Sequence, residues 1–164
     1  MTTTMTTTLI PTTPLTKVEK DVAALAAAGL GPHTIAARLR LAPSTVKKYL
    51  HVLRLKLDCR GAPHHILVHV ILSAGQVPTP AARRPAPDVS PEQVRLWRAH
   101  AVHRRAPDIA QAAGIAPSTV KKHTAQLLTA VGARGLTHLV ILGHAWDQFT
   151  AQSTAPAHFP GGHR

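Results

Sequence analysis

Apolar positions recur along this chain at helical spacing and are interrupted at Gly, Pro and Asp. Val18, Val22 and Leu25 fall at i, i+4 and i+7, which predicts a first helix burying that stripe. Thr16 and Glu19 stand at its start in the Thr-x-x-Glu pattern of a capping box. Gly29, Gly31 and Pro32 end this helix, and residues 33–39 read as a short second one with Ile35 and Leu39 inward. Pro43 suits the first position of a third helix, where its missing N–H is unpaired in any case. Val46, Leu50, Leu53 and Leu57 supply that helix's buried face and leave Thr45, Lys47, Lys48 and His51 outside. Asp58 and Gly61 mark a turn, and residues 64–73 (HHILVHVILS) form a fourth helix, apolar on most sides.

The plan is then written a second time. Ala42-Pro43-Ser44-Thr45-Val46-Lys47-Lys48 returns as Ala116-Pro117-Ser118-Thr119-Val120-Lys121-Lys122, an offset of 74 residues. Without gaps, the same offset superposes Ile35-Ala36 on Ile109-Ala110, Leu53 on Leu127, Arg60-Gly61 on Arg134-Gly135 and His64 on His138. Ser90 caps the first helix of the second copy, Pro91 takes its first position, and Val94 and Trp97 begin its buried stripe. Asp108 precedes a short helix over residues 109–113, Gly114 makes a turn, and Pro117 opens the third helix. Val120, Leu127 and Val131 face inward, and a fourth helix is expected over residues 137–149. Between the copies, residues 75–88 (GQVPTPAARRPAPD) read as a semi-extended linker with a reach of about 43 Å. The Thr-rich residues 1–14 and the tail 150–164 read as disordered. The fold class is therefore all-α, with two small four-helix helix-turn-helix domains, residues 15–74 and 89–149, joined by the Pro/Ala/Arg linker 75–88.

Charge changes this picture from architecture to partner. Nineteen Lys and Arg against seven Asp and Glu give a formal charge of +12, an excess that points to a polyanion. It is unevenly placed. Residues 15–74 hold nine basic and three acidic side chains and residues 88–149 seven and four, so the first copy is expected to grip phosphate harder. A single cysteine, Cys59, excludes an internal disulfide and fits a reducing interior; it reads as a small core residue. Residues 1–14 carry no readable secretion signal and cannot hold a sensing domain. The longest apolar stretch, residues 66–72, is too short to span a bilayer. The expectation is a cytoplasmic, nucleoid-associated protein without membrane contact.

A short helix, a tight turn and a longer helix with outward Lys in its first turns is the helix-turn-helix arrangement, in which the second helix enters the major groove. Leu15-Thr16, Gly29, Ile35-Ala36, Thr45-Val46-Lys47 and Lys56-Leu57 stand in an order and spacing that resembles the LuxR/GerE-type DNA-binding domain. The second copy is similar through Ile109-Ala110, Ile115, Thr119-Val120-Lys121, His123, Gly132 and Thr137. The resemblance implies four helices per domain, the third in the major groove and the fourth carrying dimerisation. It implies base contacts from Lys47, Lys48 and His51 and from Lys121 and Lys122, with Ala125 at the position of His51. It places Ser44, Thr45, Ser118, Thr119 and His123 at phosphates. Ala42 and Ala116 stand where the family has Ser or Thr, so a cap hydrogen bond of about 1 kcal/mol is missing.

The implied function is a sequence-specific regulator of transcription that binds double-stranded DNA with two recognition helices. The alternative is a protein-interaction module that keeps the fold and holds RNA polymerase or another regulator through its apolar fourth helices. Those helices could pair within one chain, as a pseudo-dimer, or between two chains as a homodimer. Half-sites about 34 Å apart lie within the linker's reach. His65 and His69 at i, i+4 near Cys59 lack a second Cys or a carboxylate at ligand spacing, so neither metal nor cofactor is implied. His100 and His103 beside Arg104 and Arg105 are expected to extend a basic surface. No phosphate loop, paired carboxylates or nucleophile-base set is readable, and no catalytic residue or enzyme activity is assigned.

Overall fold

The computed structural model describes residues 14–149, and the two tails, apart from Pro14, lie outside the described residues. Eight α-helices and no strand occur among them, so the all-α expectation holds. They are α1 (Lys17–Ala27), α2 (Pro32–Leu39), α3 (Pro43–Lys56), α4 (His64–Ser73), α5 (Pro91–Val102), α6 (Ala106–Ala113), α7 (Val120–Val131) and α8 (Leu136–Ala145).

Local chemistry sets the helix starts. Thr16 accepts from the N–H of Glu19, and Glu19 accepts from the N–H of Thr16 at 3.0 Å, the reciprocal cap that the sequence predicts. Ser90 and Gln93 do the same for α5, with Pro91 at the first position. The buried face of α1 differs from the expected one. Val18 is 38% exposed and Leu25 half-buried, whereas Val22, Ala23, Ala26 and Ala27 are buried. Alanines allow α3 and α4 to approach closely, and Glu19 is drawn inward by an ion pair with Lys56. Burial by itself would raise the Glu19 carboxyl; the Lys56 ammonium and the bonds to Thr16 outweigh it and hold its pKa below the ordinary value.

α7 also departs from expectation. Where Pro43 opens α3 as an α-helix, with the Val46 N–H bonded to the Ala42 carbonyl, residues Pro117–Thr119 form a tighter 3₁₀ turn in which the Val120 N–H bonds to the Pro117 carbonyl. The Thr119 hydroxyl donates to the Ala116 carbonyl at 2.8 Å and holds that turn. α8 ends at Ala145 rather than at residue 149. Asp147 takes a left-handed conformation (φ 61), and Phe149 folds back toward α4 and α8.

Two clusters of buried side chains form. One gathers Val22, Ile35, Val46, Leu50, Leu53, Leu67 and Ile71, and the other Leu96, Trp97, Ile109, Val120, Leu127, Val131 and Leu139. They are joined, because Ala101 of α5 and Val140 and Ile141 of α8 belong to the first cluster and Phe149 packs on both. α4 lies against α8, and α5 packs on both of them. The segment between Gly75 and Asp88 contains no helix, as its composition dictates, but it is docked. Val77 is buried, the Trp146 indole N–H donates to the Arg84 carbonyl at 2.9 Å, and Arg84 donates to the Val131 carbonyl at 2.7 Å.

Candidate nucleic-acid interface

The turn between α2 and α3 is closed by Arg40 in the left-handed region (φ 57), with the Leu41 N–H returning to the Ala36 carbonyl at 2.9 Å. Gly114 (φ 72) and Ile115 make the same turn in the second half, where glycine adopts the conformation without strain. Each turn delivers a longer helix whose inward face is anchored. On α3, Val46, Leu50 and Leu53 are buried, which leaves Ser44, Lys47, Lys48 and His51 exposed and Thr45 half-buried. On α7, Val120, Leu127 and Val131 are buried, which leaves Lys121, Lys122 and Ala125 exposed and His123 half-buried; in the 3₁₀ turn before it Ser118 is exposed and Thr119 half-buried.

The structure thus gathers Lys47, Lys48 and His51 on one solvent-facing side of α3. Two turns further on, the basic residues point to other work. The Arg54 guanidinium donates to the Ala62 carbonyl at 2.7 Å, and Lys56 is tied to Glu19 and to the Pro14 carbonyl. Part of the positive charge of the first half is therefore spent inside the fold. In the second half the hydroxyl hydrogen of Thr119 is engaged by the Ala116 carbonyl.

Of the basic surface expected around His100 and His103, His100 is missing, while His103 is half-buried and Arg104 and Arg105 are exposed. His100 is buried, its Nε2 lies 2.7 Å from the Thr124 hydroxyl, and burial, with His65 adding to it, pushes its pKa down to about 4. The physical reason is helical phase: Leu96 and His100 are four residues apart, so the imidazole turns under α7. That spacing was the signal which could have found it. Arg104 instead ties the halves together, donating to the Gly61 carbonyl at 2.7 Å. Cys59, expected in the core, is half-buried beside the first cluster, and burial raises its thiol pKa.

α4 and α8 lie against each other, one of the two pairings that the sequence left open, but which side chains meet there was not legible in it. There His69 Nδ1 and His144 Nε2 lie 2.9 Å apart, and the Phe149 ring packs against both imidazoles. No single helix among the described residues is long and apolar enough to cross a membrane. No group of three or more His, Cys, Asp or Glu converges there as a metal site would require.

Neither the curated proteins nor the solved structures include a match to this chain. Residues 13–69 match the family described as bacterial regulatory proteins, luxR family, a match that spans α1, α2, α3 and the first part of α4 and stops before the linker. Residues 13–69 are a LuxR/GerE-family helix-turn-helix domain.

Proposed function

We propose that the chain is a sequence-specific, double-stranded DNA-binding regulator of transcription, acting in the cytoplasm at the nucleoid with two reading helices, α3 and α7. The observation that carries this reading is the exposed Lys47, Lys48 and His51 side of α3, opposite a buried anchor, inside the segment that matches the luxR family. Lys47, Lys48 and His51 read base edges, with Ser44 and Thr45 at the phosphates. Lys121 and Lys122 read bases in the second half, with Ser118, Thr119 and His123 at the backbone. That half is treated as a second helix-turn-helix domain because its helices follow the same order and carry the same heptapeptide.

The chain is further read as a covalent pseudo-dimer. Support comes from α4 lying against α8 within one chain and from the Arg104 contact with the Gly61 carbonyl. The protein-interaction alternative requires free apolar fourth helices, and Ile66, Leu67, Val68, Ile71, Leu139, Val140 and Ile141 are all buried within this chain.

Fluorescence anisotropy of the full chain on random and selected duplexes tests the proposal. Affinity falls by about a thousandfold between 50 and 200 mM salt if roughly six phosphates are contacted. Lys47→Ala relaxes base preference, worth about 1–3 kcal/mol at one position, and Lys121→Ala does less. Absence of binding, or tight binding indifferent to salt, would sink the reading. Sedimentation of the protein–DNA complex should give one chain per pair of half-sites; two chains would refute the pseudo-dimer alone.

A further inference from the structure

A cleft of about 1000 Å³ opens where the two halves and the linker meet. Its walls are the turn between α1 and α2, linker residues 80–84, and residues 134–138 at the start of α8. Arg83, Arg84 and Arg134 line it together, and no Asp or Glu does. Three cations brought into one concavity without a lining acid repel one another, and an anion relieves that repulsion.

One of them is already held in place. Arg84 donates to the Val131 carbonyl at 2.7 Å, lies 5.8 Å from the centre of the Trp146 ring, and has its own carbonyl bonded by the Trp146 indole at 2.9 Å. A guanidinium ordered before binding gives up little further freedom on meeting its ligand. Behind the arginines the surface turns apolar, with Leu30, Ile141 and Leu142. The cleft therefore offers a cationic mouth and an apolar wall within one concavity of ligand size.

We infer that this cleft is a binding site for a small organic phosphate, with its anionic head on Arg83, Arg84 and Arg134 and its apolar body along Leu30, Ile141 and Leu142. Guanidinium forks match phosphate oxygens in a bidentate way. The residues proposed to read DNA contribute nothing to the lining, and a concave cleft suits a small molecule better than the convex edge of a duplex. Because both halves build the walls, an occupant bridges them and fixes their relative placement. The site stands independently of the DNA-binding proposal.

Isothermal titration of the full chain with hexyl phosphate tests it, with inorganic phosphate and hexanol as the two separated parts of the probe. Hexyl phosphate is expected to bind one to one, at least about tenfold more tightly than either part. The combined Arg83→Ala, Arg134→Ala variant should weaken it by about tenfold or more, the size of effect that loss of charge-assisted hydrogen bonds gives. Both arginines are exposed, so the variant should keep its helices, which circular dichroism checks. Lys20→Ala, an exposed charge on α1 away from the lining, should leave the affinity unchanged. Equal binding of inorganic and hexyl phosphate, an equal loss in Lys20→Ala, or no binding by a helical protein would each overturn the inference. So would a variant that weakens duplex binding in a protein that takes no hexyl phosphate, since the arginines would then serve DNA.

Discussion

Gly143 shows how one missing side chain shapes the junction. It is buried in α8, and a Cβ placed there would collide with the Phe149 ring and come to 3.0 Å from the Trp97 indole nitrogen. Trp97 itself is buried, with its N–H donated to the Leu139 carbonyl at 2.8 Å, so it has little freedom to retreat. Gly143→Ala is expected to lower stability by about 1–3 kcal/mol through overpacking. Helix propensity alone predicts the opposite, a gain of roughly 1 kcal/mol. The urea midpoint decides between them, and an unchanged or raised value would mean that Phe149 moves aside. Offset by 74 residues, the same place in the first half is His69, so the repeat is broken where the copies meet. Nothing in the local sequence around Gly143 announces this, because the colliding groups come from another helix and from a chain reversal.

At the scale of the element, the two third helices show what a cap contributes. Ala42 already has N-cap dihedrals (φ −72, ψ 145), yet it offers no side-chain acceptor to the free N–H groups of α3. Ala42→Ser is expected to raise stability by about 0.5–1 kcal/mol without touching the exposed Lys side. Ala116→Ser should do the same for α7. By supplying an acceptor to the N–H groups of residues 118–119, it should also shift Pro117–Thr119 from 3₁₀ toward α geometry, visible as increased amide protection in hydrogen exchange. If neither variant shifts the denaturation midpoint, the cap deficit inferred from the sequence is absent. Element boundaries in the first half were legible because capping boxes, prolines and glycines act within a few residues. The face presented by α1 was not, since its phase is set by Lys56, 37 positions away on α3.

For the whole molecule, the histidines at the junction of α4, α5 and α8 govern behaviour in acid. Burial lowers the pKa of His64, His65 and His69, and it pushes His100 and His144 to about 4, with His65 and His69 adding to the effect on their respective partners. Asp147 opposes the shift at His144 without reversing it. The 2.9 Å contact between His69 and His144 needs one ring nitrogen to donate and the other to accept, which two protonated rings cannot do. Folded-state values below 6.5 mean that the unfolded chain binds these protons first. Stability is then full above about pH 6.5 and falls as pH drops toward 4, by up to about 1.4 kcal/mol per pH unit for each proton taken up. Glu19, held low by Lys56, extends the loss in the same direction at more acid pH. Urea midpoints between pH 7.5 and 4.5 measure this, and His144→Phe should flatten the profile. A midpoint that is constant or rises on acidification would contradict the neutral, buried imidazoles.

The heptapeptide repeat, the capped starts of α1 and α5 and the division of α3 and α7 into an anchored and an open side were all determined by the sequence, because each depends on 3.6-residue periodicity or on a cap within four residues. The lysines of the candidate interface were legible for the same reason. Tertiary structure decided the rest: that α4 and α8 cover each other, that the linker is docked by Trp146 and Arg84, that His100 is buried, and that three arginines meet in one cleft. Those outcomes depend on which distant surfaces come together, and apolar helices such as α4 and α8 state only that they must be covered, leaving the covering partner to the packing of the whole chain.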